Sequence, residues 1–431
     1  MSLHKQYPKY KLSNTGWLGS IPEHWGLLPL KAIALVELSN VDKKSTDGES
    51  EVRLCNYVDV YKNDRITQEI NFMQATASLQ QIQRLSLEVG DVLLTKDSES
   101  PDDIGVPALV SEPVSAVCGY HLALARPHPD LCDGGFLAWF IRCHPNKAYL
   151  ETEAKGLTRY GIDKSSIKDM SLAYPPLAEQ KKIRCFLDRE TARIDLLITK
   201  KTRFIELLKE KRQALITQAV TKGLDDSVPM KDSGVKWLGK VPAHWVVAPL
   251  KNFFISQDGR RIPLSSEERG GMHGEYPYYG ASGIIDKINK YIFDEDLILV
   301  SEDGANLTYR STPISFIACG KYWVNNHAHV LKPIDSCLIF WSERVESVDM
   351  VPYISGATQP KLTIESLMNI RISAPPTEEE RMHIGNHIQR TARRIDLLVE
   401  KTTRSIDLLK EHRAALITAA VTGKIDVREV A

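Results

Sequence analysis

Apolar residues recur at alternating steps of four and three over two long stretches of this 431-residue chain. In the first, Leu187, Ile194, Ile198, Ile205, Leu208 and Leu215 mark the stripe, and Thr191, Lys201, Arg212 and Ala219 fill its other steps. In the second, Ile388, Ile395, Val399, Ile406, Leu409 and Leu416 do the same, with Ala392, Thr402, Arg413 and Ala420 between them. Such a seam, sustained over more than four heptads, predicts a long helix covered along one face by another helix. Pro175-Pro176 and Pro375-Pro376 suit the approach to each helix, and Gly223 and Gly423 suit its stop. Thr377 with Glu380 has capping-box spacing. A helix of about 39 residues would run roughly 58 Å.

Between these stripes the period changes. VRLCNYVDVY (52–61), GDVLLT (90–95), DLILVS (296–301) and PISFIAC (313–319) are short β-branched and apolar runs bounded by Gly, Pro and Asp, and they predict strands. FLAWFIRC (136–143) predicts a helix among them. Each intervening region therefore reads as a compact mixed domain.

The plan is stated twice. GWLGSIPEHW (16–25) matches KWLGKVPAHW (236–245), and GLTRYGI (156–162) aligns with GATQPKL (356–362). Residues 194–221 and 395–422 are identical at 20 of 28 positions, whereas 26–155 and 246–355 share almost no sequence. Pro22 and Pro242 break any helix in the first pair of blocks, whose tryptophans are expected to dock onto another element. The fold class follows as α/β (α+β): two globular domains separated by two long antiparallel coiled-coil helices, in a pseudo-two-fold internal repeat. Antiparallel pairing within the chain buries both seams, and a seam partner in another subunit would satisfy the same pattern. Lys201, Arg212 and Arg413 weaken the seam but can set its register. The boundaries are a repeat segment at 1–25, a domain at 26–174, a long helix at 175–225, a second repeat segment at 226–245, a second domain at 246–374, and a helix with its tail at 375–431.

This length suits two to three domains. Lys+Arg and Asp+Glu each number 55, so the formal net charge is zero and a polyanion must be met by local patches. Seven widely spaced cysteines without a CxxC pair read as buried thiols in a reducing cytoplasm. The start, MSLHKQYPKYKL, has no leader-like apolar core, and no run approaches a membrane span.

Catalytic patterns are weak. Pro129-Asp130 with Glu153 and Lys155 has the shape of a metal-dependent nuclease motif, but the second half lacks a counterpart. Tyr174-Pro175-Pro176-Leu177 lacks the amide or carboxylate and the aromatic that an amino-methyltransferase needs. His327 and His329 alternate without an obvious third metal ligand. No glycine-rich loop cradles a cofactor. What remains is a set of basic, amide and aromatic residues inside the two unlike domains. They are Lys62, Arg65, Lys96, Arg159 and Tyr160 in the first; Arg260, Arg261, Tyr279, Lys321, Asn325, Asn326, His327, Gln359 and Lys361 belong to the second. Arginine and lysine can take guanine edges, asparagine and glutamine adenine edges, and several can hold phosphates.

The repeated WLG…P…HW blocks, Gly-x-Thr before Pro-Pro, and IDLL…LLKE.R.ALIT.AVT together resemble the specificity (S) subunit of a Type I restriction–modification enzyme, over essentially the whole chain. YPYYGASGIID (276–286), DLILVSEDGANL (296–307) and KYWVNNHAHVLKP (321–333) are similar to one version of that family's target-recognition domain. The resemblance implies a non-catalytic subunit whose two target-recognition domains each read half of a bipartite, asymmetric double-stranded DNA site. The helices would set the spacer and dock two modification subunits, and through them the motor-nuclease subunits. S-adenosylmethionine and ATP/Mg would belong to those partners. A cytoplasmic location without membrane attachment follows. The second copy departs at Arg381, where the first has Gln180, and at Thr358-Gln359-Pro360, where the first has Thr158-Arg159-Tyr160.

Overall fold

The computed structural model describes residues 5–13, 15, 17–356 and 360–429. The chain forms two compact units, Met1–Lys201 with Arg404–Ala431, and Thr202–Thr403. The division cuts both long helices, Leu177–Lys222 (46 residues) and Glu378–Val421 (44 residues). Each unit thus holds one globular head, half of one helix and the opposite half of the other.

The helices exceed the 39 residues expected from the seam because their first turns pack elsewhere. Ile183 and Phe186 join the core of the first head, with Phe136, Phe140 and Trp25. In the second unit Ile384 joins Phe340, Trp341 and Trp245. Further along, in the first unit, Leu187 and Ile194 share a core with Leu416, Ile417 and Ala420 of the second helix. In the second unit Ile216, Ala219 and Val220 share one with Ile384 and Ile388. Late residues of one helix meet early residues of the other in both units, so each local pairing is antiparallel. Ile198 and Leu409 pack at the edge of the first core. Leu208, Ile395 and Ile406 are buried, while Ile205, Leu215 and Val399 are half-buried.

The helices stop as their glycines require. Gly423 has φ +72°, and a Cβ there would stand 2.3 Å from Pro22 Cδ. Gly223 has φ +83° beside Trp245. Only half of the expected box at Thr377 forms. Thr377 Oγ1 accepts from the Glu380 amide at 3.4 Å, but the Glu380 carboxylate turns to Trp245 instead of the Thr377 backbone.

The heads share a sheet although they share almost no sequence. In the first, strands Ala34–Leu38, Leu122–Pro127, Val92–Thr95 and Pro107–Val110 lie side by side in that order, with Arg65–Ile66 at the edge. In the second, Phe254–Ser256, Ala328–Pro333, Leu297–Ser301 and Ser315–Ala318 repeat the order. A helix follows the sheet in each, Gly134–Arg142 and Leu338–Glu346. The smaller companion sheets differ: three strands in the first head, four in the second, where His273–Gly280 and Gly283–Ile288 form a long hairpin.

One predicted strand divides. Ser50–Cys55 is extended, but Tyr57–Lys62 is helical, because Asn56 and Asp59 close a capping box that ends the strand and starts a helix. The runs at 90–95, 296–301 and 313–319 contain strands Val92–Thr95, Leu297–Ser301 and Ser315–Ala318.

Candidate nucleic-acid interface

The heads are seated on the frame by one repeated device. Strand Gly26–Pro29 pairs antiparallel with Ser171–Tyr174, and Val246–Pro249 pairs likewise with Arg371–Ala374. The tryptophan just before each first strand is fully buried. Trp25 Nε1 donates to Glu179 Oε1 at 3.1 Å, and Trp245 Nε1 donates to Glu380 Oε1 at 2.9 Å. His24 and His244 contact the same two carboxylates. The position after each glutamate ties down the loop before the head's helix. Gln180 bonds the Leu131 and Pro175 carbonyls and takes the Asp133 amide. Arg381 bonds Asp335 and the Pro375 carbonyl. The amide and the guanidinium thus perform one task in two copies.

Along the helices, Asp195 Oδ1 meets Arg413 Nε at 2.9 Å in the first unit, and Arg212 Nε meets Asp396 Oδ1 at 3.2 Å in the second. The helices exchange roles between the two pairs. Arg212 and Arg413, polar interruptions of the seam, therefore each answer an aspartate whose position fits one antiparallel register.

In the first head a cleft of about 350 Å³ is lined by Tyr57, Tyr61, Asp97, Ser98, His121 and Arg159, among others. The Tyr57 and Tyr61 rings stack at 5.5 Å. Lys96 is buried, with Nζ 2.9 Å from Asp97 and 4.4 Å from the Tyr120 ring. Tyr160 pairs with Ser98 across a two-residue strand, Arg159 is exposed beside it, and Lys62 is exposed at the end of its helix. Arg65 lies apart from this cleft, 3.0 Å from Asp188 on the first long helix.

In the second head Arg261 and Lys361 meet two acids, Asp258 and Glu302. Arg261 Nη1 donates to Glu302 at 2.6 Å and to the Ala328 carbonyl at 2.8 Å, and Nη2 lies 3.1 Å from Asp258. Lys361 Nζ is 3.1 Å from Glu302. Asn325 is buried, and its Oδ1 accepts the His327 amide. His329 points inward, to Asp258 through Nδ1 and to the Leu362 carbonyl through Nε2. His327 is exposed, so the two alternating histidines do not converge. Asp258, Glu302 and His329 could together hold a metal ion. Arg261 already bridges the two carboxylates, so a guanidinium stands where a cation would. Burial alone would raise Asp258, but the His329 hydrogen bond and charge and the Arg261 charge hold it below its usual value. Burial likewise opposes, and Arg261, His329 and Lys361 outweigh, in lowering Glu302.

The other residues of the set are dispersed. Arg260 lies 4.4 Å over the Phe293 ring and 2.6 Å from Glu295, and Lys321 lies 4.8 Å over Tyr291. Tyr279 is half-buried against Phe316 and Tyr322, and Asn326 is exposed. Gln359 lies outside the described residues. Two of the nuclease-like trio are occupied otherwise: Lys155 pairs with Asp163, and Glu153 accepts from Ser166.

Sequence reasoning passed over His121, and it gave Asp97, in the cluster Lys96-Asp97-Ser98, and Asp303 no role of their own. His121 Nδ1 lies 3.2 Å from Asp97, and His327 Nδ1 lies 2.7 Å from Asp303. A signal was present. LLTKD (93–97) and LVSED (299–303) share a pattern, and His121 and His327 each stand six residues before the proline closing a strand.

Two unlike heads carrying basic and aromatic groups thus stand on one duplicated frame. A profile of the Type I restriction modification DNA specificity domain matches residues 30–206 and 242–405. The chain belongs to that family, as a Type I restriction–modification specificity subunit. A Methanocaldococcus jannaschii protein named as the type I restriction enzyme MjaX specificity subunit is 23% identical over 423 residues, covering 95% of this chain and 96% of that one. The fold is similar to the HsdS subunit crystal structure from Thermoanaerobacter tengcongensis, with a TM-score of 0.57 at 15% identity, over 97% of this chain and all of that one. It is also similar to a chain from a structure of complex assembly and conformational transition of the type I R-M system. That TM-score is 0.63 at 15% identity, over 93% and 98% of the two chains. Among the described residues no helix is long and apolar enough to cross a membrane.

Proposed function

We propose that each head reads one half of a bipartite, asymmetric double-stranded DNA site and that the paired helices set the spacer between the halves. The chain contributes recognition, and the chemistry is that of its partners. Two modification subunits bring S-adenosylmethionine for adenine-N6 methylation, and motor-nuclease subunits using ATP and Mg join through them. The observation that carries this reading is the pairing of one shared head sheet with two different sets of polar and aromatic groups. Lys62, Arg65, Arg159, Arg260, Lys321, Asn326, His327 and Lys361 are the exposed members; Arg65 and Arg260 are tied to Asp188 and Glu295, and the other six form the DNA-facing set. Lys96 and Asn325 are buried, Arg261 is half-buried, and they shape the surface around them. Docking falls to leucines that the seam leaves exposed: Leu196, Leu197 and Leu408 in the first unit, and Leu207, Leu397 and Leu398 in the second. Their recurrence at equivalent repeat positions fits two copies of one partner.

Mapping N6-methyladenine across the genome, with and without this gene, tests the reading. A gapped motif should lose its methylation on deletion. Replacing 26–155 with an unrelated head should change one half-site only. Change of both halves would refute independent reading.

A further inference from the structure

The two His–Asp pairs occupy one place in the shared sheet. Leu122 pairs with Thr95, and Ala328 with Ser301. The next residues follow in step. The Lys96 amide donates to the His121 carbonyl at 3.0 Å, and the Glu302 amide to the His327 carbonyl at 2.9 Å. The Ile162 amide donates to the Lys96 carbonyl, and the Leu362 amide to the Glu302 carbonyl. Asp97 is bridged to Gly161, and Asp303 to Lys361. A single offset of 206 relates Thr95 to Ser301, Asp97 to Asp303 and His121 to His327. In two inserts with almost no common sequence, both partners of the His–Asp pair recur at matched backbone positions.

Packing does not require this recurrence. His327 is exposed and His121 half-buried, whereas the inward histidine, His329, is the one enclosed by the core. In each pair Nδ1 faces the aspartate, and no residue among those described takes a hydrogen bond from or gives one to Nε2. A carboxylate that accepts from Nδ1–H fixes the tautomer and leaves Nε2 as an outward acceptor. In the first head that nitrogen belongs to a ring lining the cleft with Arg159, Tyr57 and Tyr61. In the second the ring is exposed, as is its sequence neighbour Asn326, and Asp303 is bridged to Lys361.

We infer that His121 and His327 are paired base-reading groups, one per head. Each accepts through Nε2 from an exocyclic amino group, adenine N6 or cytosine N4, and Asp97 and Asp303 act as positioning residues. A phosphate oxygen is the poorer partner, since it would approach an imidazole backed by a carboxylate of its own sign. Amino donors of this kind are displayed in the major groove at A and C. The inference rests on the DNA-reading proposal above and names its contacts.

The test uses the full chain assembled with its modification subunits, selecting methylated members of a library randomised across both half-sites. His121→Ala should lower discrimination at one position of one half-site by roughly tenfold or more. His327→Ala should do the same in the other half-site only. His121→Gln and His327→Gln retain an acceptor and should keep part of the preference. Asp97→Asn and Asp303→Asn should weaken the same positions. A uniform loss across all sequences, or unchanged preference in variants whose thermal melting matches the parent, overturns the inference and leaves the two-headed reading standing. If the parent complex itself selects no gapped motif, the reading fails and this inference falls with it.

Discussion

Inserting one helical turn into both long helices tests the spacer idea at its root. The two ion pairs, Asp195–Arg413 and Arg212–Asp396, bracket residues 196–211 of the first helix and 397–412 of the second. Four residues added to each bracketed interval leave both pairs and both head junctions in register. The insertion lengthens each helix by about 6 Å, at about 1.5 Å per residue, and turns it by about 40°. Duplex DNA rises about 3.4 Å per base pair and turns about 35° at 10–10.5 base pairs per turn. Length alone allows nearly two base pairs, and rotation matches one. The expected outcome is a spacer longer by one base pair, at most two, with both half-sites unchanged. Methylation of a library that varies only in spacer length reads this directly. Insertion into one helix alone is the control. Losing two half-exposed pairs costs about 2 kcal/mol, but the slip also uncovers Leu416 and Ile417, whose apolar burial counts for about 2–5 kcal/mol each. That variant should therefore lose function outright. Altered half-sites, or an unchanged spacer in the double insertion, would refute the ruler.

Two further outcomes follow from the same structure. Glu179→Gln removes the charge that receives Trp25, Tyr7 and His24 in a buried site and should cost about 1–3 kcal/mol. Glu380→Gln should cost less, because its carboxylate is about a third exposed; equal melting losses would contradict the difference in burial. The depressed Asp258 and Glu302 stabilise the second unit above their unfolded values of about 3.9 and 4.3, and that contribution is lost as pH falls through their lower folded values. Arg261→Met should weaken the unit at neutral pH and flatten its stability between about pH 5 and 2. Denaturant unfolding across that range measures it, and an unchanged slope would exclude the network.

The helices and frame were legible because they are written twice in a periodic code. Seam positions such as Leu187, Ile194 and Leu416 announce burial by spacing alone, and Gly223 and Gly423 mark where the backbone turns left-handed. Arg212 and Arg413 could be recognised as register-setting, but their partners Asp396 and Asp195 emerge only with the antiparallel alignment. The heads were far less legible. Their common sheet is held by backbone hydrogen bonds between distant strands, which unlike side chains serve equally well. So the equivalence of His121 and His327 stayed hidden. Residues 52–61 misled because a capping box at Asn56 overrides a β-like composition. Among the candidate contacts, type could be read but burial could not. Arg261 and Lys96 look like free cations in sequence, and each is enclosed with an acid in the fold.

The division of the chain into two units also orders its synthesis. The second unit is continuous from Thr202 to Thr403, whereas the first is completed only by Arg404 onward. The seam around Leu187 and Ile194 is closed by Leu416 and Ile417, and the Asp426 amide bonds the Lys5 carbonyl. A ribosome therefore releases everything the second unit needs before the first can close. The usual order, with the N-terminal part folding first, is inverted. Until then a finished head stands on an uncovered apolar stripe, and the nascent chain depends on the speed of its last few turns of helix to hide it.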